Sequence, residues 1–539
     1  MPLTRPPVKR AALVLSLAGL LLCGASNTAL AAQAKADDPR LQAMQQQLDD
    51  MRAQLEQLRG AAQSEQRLNA IQLQLEAMSR ELAEMKTAQT STATAVSNLK
   101  TPPAPTAITT TLPNGRPTFT SADGRFTASI RSIVMLDAAK FFQSDNPEPA
   151  VVGRDLSEGT NFRRARIGFE GVLFDDFDYS IFYEFGGSGG EDPGRLYDAA
   201  ITYTAFDPLQ IKVGAFQPNV GLAAAASTSE IPFMERPSSA EVTRNVAAGD
   251  SRIAFQVSSN GAFGPNTEPS AVRWMASAAL TGNIISRIAG NGAATPLPFG
   301  EQTAWVGRIA LSKGFTEGWQ AHVGANFQWV VQPNDAGVTT TPRYPAQLRD
   351  RPEQRLDSTR LIDTGGIDAR HVSVLGLEGA VSKGPMLVEA EYFQIKLDRR
   401  LTTAQRLPDP KFSGWYVQAV WSLTGETRAY HAADARYRAP TPATNFNPKA
   451  GTLGALELAG RYSVTDLNYR EGPLLSTAVP GAVRGGEQKI LSFGVNWYLN
   501  PVMRLMLNYQ NVDVDRLSQT GVQIGQTYDA VAARAQLNF

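Results

Sequence analysis

A transmembrane β-barrel of sixteen antiparallel strands, preceded by an α-helical coiled coil, is the fold class this sequence predicts. Three observations predict it: an export leader, a heptad stripe close behind it, and a switch to a period of two that runs to the last residue.

The leader comes first. Arg5, Lys9 and Arg10 give a positive start, Ala11 to Leu22 an apolar stretch too short to span a bilayer, and Ala29-Leu30-Ala31 a small-x-small cleavage site. Residues 1–31 therefore read as a signal peptide. A lipoprotein signal ending at Cys23 is the other reading, but Leu22 ahead of it is not a small residue. Cys23 is the only cysteine, so cleavage leaves neither a disulfide nor a thiolate ligand.

Charge narrows the partners. The 539 residues carry 51 Lys and Arg against 51 Asp and Glu, and loss of the three basic leader residues takes the neutral chain to −3. A nucleic-acid binder carries a clear positive excess, so no nucleic acid is expected. Any preference for anions has to come from local placement of charge. Composition is 43% hydrophobic, yet no mature segment approaches the roughly 18–20 consecutive apolar residues of a spanning helix.

Residues 37–86 have a helical period. Leu41, Met44, Leu48, Met51, Leu55 and Leu58 recur at spacings of three and four, and Leu68, Ile71, Leu75, Met78, Leu82 and Met85 repeat the pattern. The runs are out of register by one residue, which places an irregularity near Gly60. A lone amphipathic helix would need a burial partner that this Gln-rich stretch does not offer, so the stripe predicts a self-associating coiled coil. Residues 87–117, rich in Thr, Ala, Ser and Pro and ending in Leu112-Pro113-Asn114-Gly115, read as a linker.

From 118 to 539 the period is two. Ile167, Phe169 and Leu173 alternate with Arg164, Arg166, Gly168 and Glu170; Trp415, Val417, Ala419, Trp421 and Leu423 with Tyr416, Gln418 and Ser422; and Leu491, Phe493, Val495, Trp497 and Leu499 with Ser492, Gly494, Asn496 and Tyr498. An apolar face opposite a polar one, with Trp and Tyr near strand ends, suits a barrel that meets lipid outside and water inside. Sixteen such segments start near 125, 161, 177, 196, 209, 251, 271, 303, 319, 370, 385, 411, 453, 488, 501 and 527. Short turns such as Asp207-Pro208 and Asn500-Pro501 alternate with long loops such as 141–160, 331–369 and 513–526. An even count puts both barrel ends, and the coiled coil, on the periplasmic side of a Gram-negative outer membrane. One periplasmic connection, about 424–452, is unusually long, and the alternation offers no account of it. The terminal Phe539 closing an alternating strand reads as a barrel-assembly signal.

Several runs carry a family likeness: Asn161-Phe162-Arg163-Arg164-Ala165-Arg166, Tyr197-Asp198-Ala199-Ala200-Ile201-Thr202-Tyr203-Thr204, Phe233-Met234-Glu235-Arg236, Ser413-Gly414-Trp415-Tyr416, Leu423-Thr424-Gly425-Glu426 and Gly494-Val495-Asn496-Trp497-Tyr498. In order and spacing the chain from about 118 onward resembles the phosphate-selective porin family, porins O and P. The resemblance implies sixteen strands, a homotrimer in outer-membrane lipid, and an inward-folded third loop, here about Gln217 to Asp250. It implicates Arg131, Arg163 and Arg164 on the wall, Arg236 at the end of that loop, Ser227 and Thr228 as hydroxyl donors, and Asp198 as an acid in the channel. Strand parity independently turns Arg164 and Arg166 inward. Guanidinium forks match the two oxygens of an oxyanion, so the expectation is passive, anion-preferring diffusion of phosphate, pyrophosphate or similar solutes. The chain departs from the family at Gln217, where a tyrosine is usual, at Ala224, where a lysine is usual, and at Arg166, an aromatic position. Fixed positive charge moves from loop to wall, which extends the expected solutes to other phosphorylated or carboxylated anions.

Other readings of the same residues compete. The inward arginines can instead pair with Glu170, Glu184, Asp198 and Glu235 and merely stiffen the wall. Gly186-Gly187-Ser188-Gly189-Gly190 matches a nucleophile pattern formally, but its strand–turn–helix context is missing, and neither His322 nor His371 sits in a triad or metal-ligand spacing. No enzyme activity, metal or cofactor is expected. A general diffusion porin whose coiled coil tethers the barrel to peptidoglycan is the alternative function.

Overall fold

A computed structural model describes residues 39–59, 72–84, 108–143, 155–187, 194–264, 271–285, 300–400 and 406–539. The leader, the irregularity near Gly60, most of the linker and Ser188 to Gly190 lie outside them. The chain divides after Ala104 into two units. In the first, α1 (Pro39–Arg59) and α2 (72–84) are helices. Leu48 is buried and Met51, Leu55, Leu75, Met78 and Leu82 half-buried, while the described residues between them are exposed. The least exposed positions are thus those of the heptad stripe.

The second unit is the barrel. Its strands are β1 (Thr127–Phe142), β2 (Gly159–Leu173), β3 (Phe177–Glu184), β4 (Arg195–Phe206), β5 (Leu209–Phe216), β6 (Arg252–Phe263), β7 (Val272–Ile284) and β8 (Thr303–Gly314). They continue as β9 (Trp319–Gln332), β10 (Ile367–Lys383), β11 (Met386–Arg399), β12 (Lys411–Ser422), β13 (Ala455–Tyr469), β14 (Val483–Tyr498), β15 (Met503–Asp515) and β16 (Thr527–Asn538). Each pairs antiparallel with the next, and β16 returns to β1 from Asp529↔Phe142 to Asn538↔Ile133, closing a sixteen-stranded barrel. Closure is what lipid demands, because an open sheet edge would leave unpaired N–H and C=O groups with no water to satisfy them. Among the described residues no helix is long and apolar enough to cross a membrane.

The predicted alternation is the observed one. Along β15, Met503, Leu505, Leu507 and Tyr509 are exposed and Arg504, Met506, Asn508 and Gln510 buried. The starts of all sixteen strands fall within a few residues of those expected. The largest difference is β14, which begins at Val483 rather than near 488. Its first residues, Val483-Arg484-Gly485-Gly486, are all buried and pair with β13 across a register shift between Asp466 and Asn468, so no period of two marks them. At the end of the predicted linker, Thr109–Thr111 pairs with Thr118–Thr120, which pairs in turn with β1.

Among the described residues, three connections leave the rim and enter the lumen. Residues 217–251, between β5 and β6, fold inward as expected for the third loop and carry α3 (Leu222–Ala225) and α4 (Ser238–Ala247), most of whose residues are buried. The long loop between β9 and β10 sends Glu353 to Arg461, to the Ser463 hydroxyl at 2.6 Å and to the Ser238 amide at 2.8 Å. The third is the connection between β12 and β13, residues 423–454, which the sequence left unexplained. It turns back into the barrel, where Arg308 donates to the carbonyls of Asp434 and Ala435, both at 2.8 Å. Arg428 and Arg436 then reach Glu230 on the third loop.

Candidate functional site

The site lies where the third loop faces the wall formed by β1 to β4. Arg131 and Ile133 come inward from β1, Arg166 from β2, Phe182 from β3, and Tyr197 and Asp198 from β4; Gln217, Asn219, Ala224 to Thr228 and Arg236 face them from the loop. Together they line a cavity of about 230 Å³. Six of the sequence-derived candidates meet here: Arg131, Arg166, Asp198, Ser227, Thr228 and Arg236. Arg163 and Arg164 do not line it.

Two bulges explain details that strict alternation misses. Between Met135 and Leu136 the β1–β2 register slips, so that Arg163 is an extra residue beside Arg164 and both reach Glu235. Between Phe182 and Tyr183 the β3–β4 register slips in the same way, which brings Tyr197 into the cavity next to Asp198.

The wall arginines are held by carboxylates, as the pairing alternative anticipates. Arg131 donates to Glu170 at 2.9 Å, and Arg116 shares that carboxylate at 2.7 Å. Arg166 donates twice to Glu184, at 3.1 and 2.9 Å, and its guanidinium carbon stands 3.2 Å from the centre of the Tyr197 ring. Such cation–π contacts fix the plane of a guanidinium as well as adding attraction. Arg163 donates to both oxygens of Glu235, at 2.8 and 3.2 Å, while Arg164 lies 3.6 Å from it and donates to the Met135 sulfur at 3.4 Å. Asp198 accepts from the Ser180 hydroxyl instead of from an arginine.

Arg236 differs from the rest. Its Nε donates to the carbonyl of Ala223 at 2.9 Å and its Nη2 to those of Ala224 and Ala226 at 3.4 and 2.7 Å. These acceptors orient the guanidinium without neutralising it. Of the five arginines considered, it alone makes no direct ion pair within 4.0 Å among the described residues. Gln217 supports the same turn, donating to the Ala224 carbonyl at 2.6 Å. Among the described residues, two polar atoms at the cavity are buried without a partner, the Thr228 Oγ1 and the Arg131 Nε.

Buried ion pairs hold the loop in place. Glu235 receives Arg163, Arg164, Arg355 at 3.9 Å, and Arg534 at 3.0 Å, the last also chelated by Asp137 at 2.6 and 2.7 Å. Burial alone would push the Glu235 carboxyl up, but Arg163, Arg164, Arg534 and Arg355 outweigh it and hold the group well below the usual carboxylate range. Glu391 on β11 accepts from the amides of Leu222 and Ala223 at 2.7 and 2.9 Å and from the Tyr416 hydroxyl at 2.8 Å. Glu391, Arg534 and Asp137 stand at inward positions of their strands, but that parity does not reveal which loop group each one holds.

His322 meets the Tyr430 hydroxyl at 2.8 Å and His371 the Val331 carbonyl at 2.9 Å. Among the described residues no group of three or more His, Cys, Asp or Glu side chains is placed to hold a metal.

Porin O of Pseudomonas aeruginosa is 25% identical over 385 residues, covering 68% of this chain and 79% of its own. An uncharacterized protein of Caulobacter vibrioides is 28% identical over 510 residues, covering 92% and 90%. Among solved structures, the outer-membrane channel DcaP of Acinetobacter baumannii shares 12% identity at a TM-score of 0.43, over 78% of this chain and 99% of that one. An anion-selective porin from Comamonas acidovorans shares 12% at 0.42, over 77% and 100%. Residues 142–539 match the family described as phosphate-selective porin O and P, and the chain, a channel rather than an enzyme, belongs to that family.

Proposed function

We propose that the protein is an outer-membrane channel for passive, anion-preferring diffusion of phosphate, pyrophosphate and similar anionic solutes. The observation that carries the reading is the cavity between loop and wall, where Arg131, Arg166 and Arg236 converge with the hydroxyls of Ser227 and Thr228. Glu170, Glu184 and Asp198 balance the three guanidiniums formally. Selection therefore rests on donors fixed in place within low-dielectric walls, with Arg236 supplying charge that no carboxylate touches. Asp198 disfavours fully deprotonated anions and accepts from a protonated one. Arg163 and Arg164 act as positioning residues, through Glu235. Reversal potentials across a planar bilayer in a gradient of potassium chloride, and then of potassium phosphate, test the reading. A potential set mainly by the anion is expected in both, and one set by potassium overturns it.

Homotrimeric assembly and a periplasmic coiled coil belong to the same proposal, supported by family membership and by the stripe of least exposed residues along α1 and α2. A tether to peptidoglycan through this region is compatible with conduction. Deleting residues 33–100 separates the two roles: unchanged conductance with a loosened envelope supports the tether, and an unaltered envelope refutes it.

A further inference from the structure

The cavity lining is of two unlike kinds. Arg131, Arg166, Arg236, Ser227 and Thr228 supply donors and Asp198 an acceptor; Ile133 and Phe182 from the wall and the side chains of Ala224-Ala225-Ala226 from the loop supply hydrocarbon. About 10–15 Å³ of such space is enough for one water, so 230 Å³ exceeds what a small inorganic anion occupies. A hydrated tetrahedral ion on the donors leaves the hydrocarbon lining facing water. A solute with a carbon body removes that surface from water at the same time as its head meets the arginines.

Unsatisfied groups mark where the head sits. Thr228 is 7% exposed, and its Oγ1 has no partner although it borders the cavity. The Arg131 Nε is likewise buried and unpaired. Buried donors left in that state are costly unless a ligand supplies the acceptor. The side chains of Ala224, Ala225 and Ala226 add no charge, and the carbonyls of Ala224 and Ala226 already accept from Arg236, so this run does not compete for the anionic head.

We propose that the preferred solutes of this channel are organic anions: an oxyanion head held by Arg131, Arg236 and Thr228, carrying a compact apolar body that packs on Ile133, Phe182 and Ala224 to Ala226. This rests on the anion-preferring reading above and names the solute class within it. Inorganic phosphate passes, but it leaves the hydrocarbon lining uncovered.

The test uses the full-length channel in planar bilayers, with chloride current measured while inorganic phosphate, acetate or benzoate is added. Acetate and benzoate share a carboxylate and differ only in the body; phosphate has a head and no body. Benzoate is expected to halve the chloride current at a concentration about ten-fold below that needed for acetate or phosphate. Benzoate no better than acetate, or phosphate the strongest blocker, overturns the inference. Ala225→Lys puts a charge into the hydrocarbon lining and Phe182→Ser removes its aromatic face. Each is expected to cut the benzoate advantage below about three-fold, while Ala225→Lys raises the anion-to-cation permeability ratio. An advantage that survives both substitutions places the body elsewhere and defeats the assignment. The two readings fail separately: a cation-set reversal potential sinks anion preference, whereas an anion-set potential with no benzoate advantage sinks only this inference.

Discussion

At the scale of single residues, the lumen contrasts charge that is spent with charge that is kept. Glu235 takes up four guanidiniums, Arg131 shares Glu170 with Arg116, and Arg166 is paired with Glu184. Replacing Glu235 by Gln leaves Arg163, Arg164, Arg355 and Arg534 buried around a neutral group. Removing one side of such a pair costs about 3–5 kcal/mol. Glu235→Gln is therefore expected to lower the midpoint of thermal unfolding in detergent and to give larger, noisier single-channel currents. Unchanged melting and unchanged noise would show that the loop is anchored elsewhere. Parity alone made Arg164 and Arg166 legible as inward residues, because β2 alternates on either side of them. Arg163 and Tyr197 were illegible as inward residues, since a bulge adds one residue without leaving a mark in the hydrophobic pattern. The carbonyl cradle of Arg236 was equally hidden, because backbone acceptors have no sequence identity.

At the scale of elements, the third loop rests on glycine at one point and on carboxylates at others. A Cβ on Gly414 of β12 would meet the Ser239 Cβ at 2.7 Å, so the absence of a side chain lets α4 lie against the wall. Gly414→Val is expected to push α4 off the wall and broaden the distribution of conductance levels; a single level of unchanged size contradicts this contact. Glu241 on α4 is buried, which raises its pKa, but Arg244 and Arg355 outweigh that and bring it down to about 2 from an ordinary 4.5. Glu235 is depressed in the same direction. A carboxyl with a depressed folded-state pKa stabilises fully above its unfolded value and loses that contribution as pH falls through the folded one. Conductance is therefore expected to stay level from neutral pH down to about 4.5, then to rise and become noisy toward about pH 2. A transition centred near neutrality would mean that other groups hold the loop.

The connection between β12 and β13 shows where sequence reading stops at this scale. Strands announce themselves because lipid imposes alternation on their outer face, whereas a segment inside the lumen is surrounded by wall side chains and follows no period. Ala435 and Tyr437 are buried there, while their sequence neighbours read as loop. Replacing residues 428–452 with a short turn removes the Arg428 and Arg436 contacts to Glu230. About a two-fold larger conductance is expected, with the permeability ratio maintained, because the arginines of the cavity stand elsewhere. A ratio that collapses would assign selectivity to this connection.

At the scale of the whole molecule, a rigid closed wall carries loops that decide what passes. The wall was legible almost strand by strand, since closure in lipid fixes its hydrogen bonding and its hydrophobic face together. The filling of the lumen was legible only through family likeness, because the wall's inner face is polar whether it meets water or a folded loop. The proposed anion preference rests on Arg236, the one candidate guanidinium held by carbonyls alone. The most direct measurement is the anion-to-cation permeability ratio of the full-length channel, taken from the reversal potential in a potassium chloride gradient and compared among wild type, Arg236→Ala and Arg164→Ala. An anion-favouring ratio is expected, falling about three-fold or more in Arg236→Ala and changing little in Arg164→Ala. A ratio near one in the wild type, or one unmoved by Arg236→Ala, contradicts it.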